Sequence, residues 1–195
     1  MNIIIARVIS YILNPILVLI VVPSLLVYKS TNDPEYTLSW TAYSFVFLLI
    51  ITTFMLYGVR KGIFSDLDVS KREERPLLFL VSIILSAIYM LGLLILHGPK
   101  ILLLTIIGII VGILLVSVIN RHIKASIHVA TLSALIFAVA IVYGGYYFLL
   151  LLLIPIVGWA RVTVKRHTVS ETIVGGILGS LLSLGTYILL KLFYR

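Results

Sequence analysis

ILLLTIIGIIVGILLVSVI, from Ile101 to Ile119, contains no charged residue. It lies between the breakers Gly98-Pro99-Lys100 and the polar turn Asn120 to Ser126. A helix needs roughly 20 apolar residues to cross bilayer hydrocarbon, and this run has that length. Its short boundaries predict helical hairpins with tight connections to the runs on either side. Charge placement marks seven such stretches: Val8 to Tyr28, Thr41 to Val59, Leu77 to His97, Ile101 to Ile119, Ile127 to Tyr143, Gly145 to Trp159 and Thr172 to Leu192. The first has no charge after Arg7 and no small-residue cleavage pattern, so it reads as a retained span rather than a signal peptide. Asn14-Pro15 and Pro23 are expected to bend it.

Composition agrees. The 195 residues are 62% hydrophobic and 11% charged, with a mean hydropathy of +1.22. Soluble domains run about 45–50% apolar and about 25% charged, so a water-soluble globule is excluded. The length allows six or seven spans with short loops. The expected fold is therefore an all-α polytopic transmembrane helix bundle, a single integral membrane domain over residues 1–195. Cysteine is absent, which excludes disulfides, thiolate nucleophiles and cysteine-ligated metals. The net charge of +8 is assigned to membrane topology and anionic headgroups, not to nucleic acid.

With seven spans, the N-terminus and the loops Arg60 to Pro76, Asn120 to Ser126 and Arg161 to Glu171 share one face. That face carries Arg7, Arg60, Lys61, Lys71, Arg72, Arg75, Arg121, Lys124, Arg161, Lys165 and Arg166, against Lys29, Lys100, Lys191 and Arg195 opposite. The positive-inside rule puts the N-terminus and the crowded face in the cytoplasm, in a membrane expected to be the plasma membrane.

Three segments on this face carry chemistry. In the first, Ser65 to Pro76, Arg75 precedes a proline suited to the first helical position, at a helix mouth whose N–H groups attract anions. Asp66, Asp68, Lys71 and Arg72 lie just upstream. In the second, Lys124-Ala125-Ser126-Ile127-His128, Ser126 is placed to cap a helix and His128 falls on its first turn. In the third, Arg161, His167 and Glu171 follow one another. The last two are four residues apart and share a face if the helix begins early enough. The carboxylate then accepts from one imidazole nitrogen and leaves the other for attack, while a guanidinium at the membrane edge holds phosphate bidentately.

In order and spacing these segments resemble the type 2 phosphatidic acid phosphatase superfamily, as a divergent small membrane branch, over a family-like core of about residues 60–192. Its signatures are a Lys, six residues and Arg-Pro; Pro-Ser-Gly-His; and Ser-Arg, five residues, His, three residues, Asp. This chain offers Arg75-Pro76, then Ser126-Ile127-His128, then Ala160-Arg161 with His167 and Glu171. It departs by Asp68 for the Lys, Ala125 and Ile127 for the Pro and Gly, Ala160 for the Ser and Glu171 for the Asp.

The resemblance implies phosphoryl transfer from a lipid phosphate, phosphatidate-like or isoprenoid, with no metal and no cofactor. His167, oriented by Glu171, attacks phosphorus; His128 protonates the leaving alcohol and then activates water. Arg75, Arg161, Ser126 and Lys124 hold the phosphate. Two alternatives remain at this stage. One is a magnesium-dependent lipid transferase using Asp66 and Asp68, since carboxylates suit that ion. The other is a non-catalytic membrane protein that binds anionic lipid. Gly175, Gly179, Ser180 and Ser183 permit close helix approach, within the bundle or between chains.

Overall fold

The computed structural model describes residues 2–193; Arg195, counted above on the opposite face, lies outside them. The fold is all-α, with no strand among the described residues. Among the described residues eight α-helices follow one another: α1 Asn2–Ile12, α2 Pro15–Thr31, α3 Pro34–Arg60, α4 Arg75–Ile95, α5 Lys100–Ile119, α6 Ile127–Tyr143, α7 Leu153–Thr163 and α8 Val169–Phe193. Among the described residues six helical segments are long and apolar enough to cross a membrane, α1 and α2 together forming one of them, and the shorter α6 is a further apolar helix. The chain is an integral membrane helical bundle.

Local sequence sets the helix ends. Asn14 interrupts the first stretch: its Oδ1 accepts from the Ile16 N–H at 2.9 Å, and Pro15 starts α2. The expected bend is thus a full break, whereas α2 continues through Pro23. Asp33 starts α3 in the same way, accepting from the Tyr36 N–H at 3.0 Å. The expected span Gly145 to Trp159 is not one α-helix, because Gly145–Leu152 is a 3-10 segment and α7 begins only at Leu153. Pro155 supplies the reason: it has no N–H to donate, so it fits the first turn of an α-helix, where those donors have no helical partner.

The chain divides into two compact units, Met1–Val18 with His122–Arg195, and Leu19–Arg121. In the first unit, α6 and α8 pack side by side, and α7 contacts α1, α6 and α8. Val129, Leu132, Ile136 and Val157 form its core, with Ile9 and Leu13 of α1 against them. The small residues of α8 face α6 within the bundle. A Cβ on Gly175 would stand 2.5 Å from the Ser126 carbonyl oxygen, and one on Gly179 would collide with the Ala130 carbonyl oxygen. Ser133 Oγ donates to the Gly176 carbonyl at 2.9 Å, and Ser183 Oγ to the Ala134 carbonyl at 2.6 Å. The other face of α8 exposes Ile173, Ile177, Leu181, Leu184 and Ile188, a stripe at helical spacing that lipid tolerates and water does not.

In the second unit, α4 packs between α3 and α5. Val27, Trp40, Tyr89, Leu93, Leu102 and Ile106 form one core cluster, where Ser44 Oγ and the Tyr89 hydroxyl share a 2.8 Å hydrogen bond. A second cluster holds Phe64, Val69 and Leu78. Through it the charged segment before α4 is anchored by two apolar side chains.

Because the α6–α8 contact is made by backbone, Gly179→Ala should lower the thermal unfolding temperature of the purified protein markedly, by an overpacking cost of about 1–3 kcal/mol. Gly185→Ala, where a Cβ meets nothing within 4 Å, should leave it unchanged. Equal melting curves for the two variants would contradict this packing.

Candidate functional site

The Arg161-to-His167 spacing has a local structural cause. α7 ends in a Schellman turn: the Arg166 N–H bonds the Arg161 carbonyl at 3.1 Å and the Lys165 N–H bonds the Val162 carbonyl at 2.9 Å. Lys165 takes the left-handed conformation, φ +58°, in which this motif usually places glycine. The His167 N–H reaches the same Arg161 carbonyl at 3.3 Å, so the two residues are tied through the main chain.

Immediately afterwards α8 opens with a capping box. The Thr168 N–H donates to Glu171 Oε2 at 3.1 Å, and the Glu171 N–H donates to Thr168 Oγ1 at 3.3 Å. His167 therefore precedes the helix and does not share a helical face with Glu171, as the four-residue spacing suggested. The pair still forms. His167 Nδ1 lies 2.9 Å from Glu171 Oε2 and 3.2 Å from the Lys124 carbonyl oxygen. Both partners are acceptors, so Nδ1 carries a proton, and in the neutral ring Nε2 holds the lone pair.

α6 enters the cluster through Ser126, whose N–H donates to the Glu171 carbonyl at 3.0 Å. Ser126 occupies the N-cap position, yet its hydroxyl makes no capping bond. This corrects the expected capping role: the main chain of Ser126 is held by α8, and its fully buried Oγ has no hydrogen-bond partner among the described residues. A buried hydroxyl left this way costs about 1–3 kcal/mol. Two residues on, in the first turn of α6, His128 is 5% exposed. Its Nε2 stands 3.5 Å from Arg161 Nη1, at the outer limit of a hydrogen bond. A guanidinium can only donate, so that ring nitrogen faces it with its lone pair. Arg161 is 2% exposed, and the same Nη1 donates to Ser10 Oγ of α1 at 2.6 Å.

The first unit therefore gathers Ser126, His128, Arg161, His167 and Glu171. Lys124 contributes its backbone carbonyl to His167, where its ammonium was the expected contact. Ser10 was missed by the sequence reading; a lone serine in an apolar helix gives little signal. The capping box was legible as Thr168, two residues, Glu171.

Asp66, Asp68, Lys71, Arg72 and Arg75 belong to the second unit. There Asp66 Oδ1 accepts from the N–H of Asp68 at 3.0 Å, the N–H of Ser70 at 3.3 Å and Ser70 Oγ at 2.9 Å. Lys71 Nζ lies 3.5 Å from Glu74 Oε1. Arg75, 2% exposed, donates from Nε to the Val69 carbonyl at 3.3 Å and from Nη1 to Asn120 Oδ1 at 3.2 Å. Asn120 in turn donates to the Arg72 carbonyl at 3.4 Å. These bonds hold Val69 in a left-handed conformation, φ +45°, which a β-branched residue adopts only under constraint. Among the described residues, no three His, Asp or Glu side chains converge to hold a metal ion. No family model, curated protein or solved structure matches the chain.

The His167 environment fixes its tautomer. In ¹⁵N-histidine-labelled protein, the imidazoles of His128 and His167 should both show a protonated Nδ1 and a deprotonated Nε2 in the neutral form, and one of these two signals should vanish in His167→Asn. An Nε2–H tautomer at that residue would break the assignment.

Proposed function

We propose that the chain is a membrane lipid-phosphate phosphatase, related to the type 2 phosphatidic acid phosphatases and acting through a phosphohistidine. The observation that carries this reading is the His167–Glu171 pair, with Nδ1 held between two acceptors, beside a buried arginine, a second histidine and a buried unpartnered hydroxyl.

His167 Nε2 attacks phosphorus as the bond from phosphorus to the leaving alcohol breaks. Glu171 and the Lys124 carbonyl stabilise the positive charge that the ring acquires. Arg161 and the Ser126 hydroxyl neutralise the phosphoryl oxygens. His128 rests with its lone pair toward Arg161. A phosphate anion arriving between them favours the imidazolium, which gives its proton to the departing alkoxide. Water then attacks phosphorus, His128 takes its proton, and the P–N bond breaks to release inorganic phosphate and free His167. The chemistry uses only these side chains. Asp66 and Asp68 have no step in it; Asp66 Oδ1 accepts three hydrogen bonds within its own loop.

A substrate with an acyl or isoprenoid tail suits a site built on apolar helices, since the tail remains in lipid while the phosphate meets the cations. Phosphate release from a panel of lipid phosphates should therefore proceed in chelator. His167→Ala should abolish it, and Glu171→Gln should lower kcat by about 10²-fold, the scale of a general catalytic group. Acid-quenched protein should carry a phosphohistidine that His167→Ala lacks. Turnover only on adding magnesium would favour a metal-dependent transferase, and binding without turnover a lipid-binding role.

The charge count places this site on the cytoplasmic side. The chain has no cysteine, so Lys165→Cys introduces a single thiol in the exposed α7–α8 turn. An impermeant maleimide should label it only after cells are permeabilised; labelling of intact cells would invert the placement.

A further inference from the structure

The hydroxyls along these helices are mostly spent on the carbonyl three or four residues earlier, as Ser24, Ser30, Thr31, Ser44, Thr52 and Thr105 illustrate. Ser10 is different. It is 8% exposed, and its one side-chain hydrogen bond among the described residues is made as an acceptor, from Arg161 Nη1 at 2.6 Å. Its O–H proton is thus unspent in a buried place, beside the guanidinium that also faces His128. The Ser126 hydroxyl is likewise buried and unpartnered. Each of these two buried hydroxyls keeps a proton that it donates to nothing among the described residues, and a phosphoryl group offers several acceptors.

We infer that Ser10 is part of the anion site: it holds the Arg161 guanidinium in place and donates its own hydroxyl proton to a bound phosphoryl oxygen. Ser10 lies in α1, well before the segments that carry the family resemblance, so α1 completes the site from outside them. The helix is built for the role. Ala6 and Ser10, one turn apart, are its buried residues, and their small side chains bring α1 close to α7. Ile9 and Leu13 on the same side enter the apolar core. The inference rests on reading this cluster as a phosphoryl site, and it concerns binding, whether or not turnover follows.

The test is calorimetric binding of orthovanadate and of inorganic phosphate to the full-length protein in lipid nanodiscs, alongside the hydrolysis assay. Wild type should bind both anions. Ser10→Ala should weaken binding about tenfold, the scale of a hydrogen bond to a charged group, and Ser10→Thr, which keeps the hydroxyl, should restore most of it. Ile9→Ala removes only apolar contact from the same face and should change anion affinity by less than about twofold. Equal binding by wild type and Ser10→Ala, an Ile9→Ala loss as large as that of Ser10→Ala, or no anion binding by wild type would each overturn the assignment. Should the expected binding series appear without hydrolysis of any lipid phosphate, the phosphatase reading fails and Ser10 keeps its place.

Discussion

One main-chain hydrogen bond organises the first unit: the Ser126 N–H donates to the Glu171 carbonyl at 3.0 Å. It joins the beginnings of α6 and α8, and in a membrane protein a backbone donor so placed has little water to fall back on. The bond demands that the two backbones nearly touch, which is why residue 175 is glycine; a Cβ there would stand 2.5 Å from the Ser126 oxygen. Once the contact is made, the rest follows from helical geometry. His128 is set in the first turn of α6, and the Glu171 carboxylate is left at the opening of α8 facing His167. Ser133, Ser180 and Ser183 extend the same close approach deeper between the helices.

Glu171 does three things with one residue. Its carbonyl receives Ser126, its N–H is taken by Thr168, and its Oε2 accepts from both the Thr168 N–H and His167 Nδ1. The family pattern has an aspartate here. The capping box favours the longer side chain, because a residue at the third helical position must reach back to the N-cap N–H. The extra methylene therefore has a structural reason in this chain: the oxygen that orients the histidine also closes the first turn of α8, and the imidazole is fixed by a helix end rather than by a flexible side chain.

The spans were legible because charge-free runs of membrane length leave few alternatives, and Arg161, His167 and Glu171 were legible as a spacing. The cause of that spacing was less visible. A helical face was read where the chain ends one helix, turns through Lys165 and starts another, although Thr168 and Glu171 already stood in capping-box register. Contacts that pair a side chain with a distant backbone group left no trace: nothing in the sequence says that Lys124 gives its carbonyl to His167, or that Asn120 reaches the Arg72 carbonyl. Pro155 carried enough information to break the sixth stretch, because a missing N–H is admissible only near a helix start, but an unbroken apolar run hid it.

The sign of the field at the cluster follows from which helix ends meet there. α6 and α8 both begin at it, so two helix N-termini, each equivalent to about half a positive charge, stand beside Arg161. The end of α7 opposes them, but its last carbonyls are partly consumed by the Schellman turn and by the His167 N–H. The Glu171 carboxylate is turned toward Thr168 and His167 and is partly neutralised by their donors. What remains is positive and rich in donors, which is the setting that the proposed phosphoryl site requires. Burying a guanidinium among apolar helices is costly, and the anionic substrate proposed above would offset part of that cost.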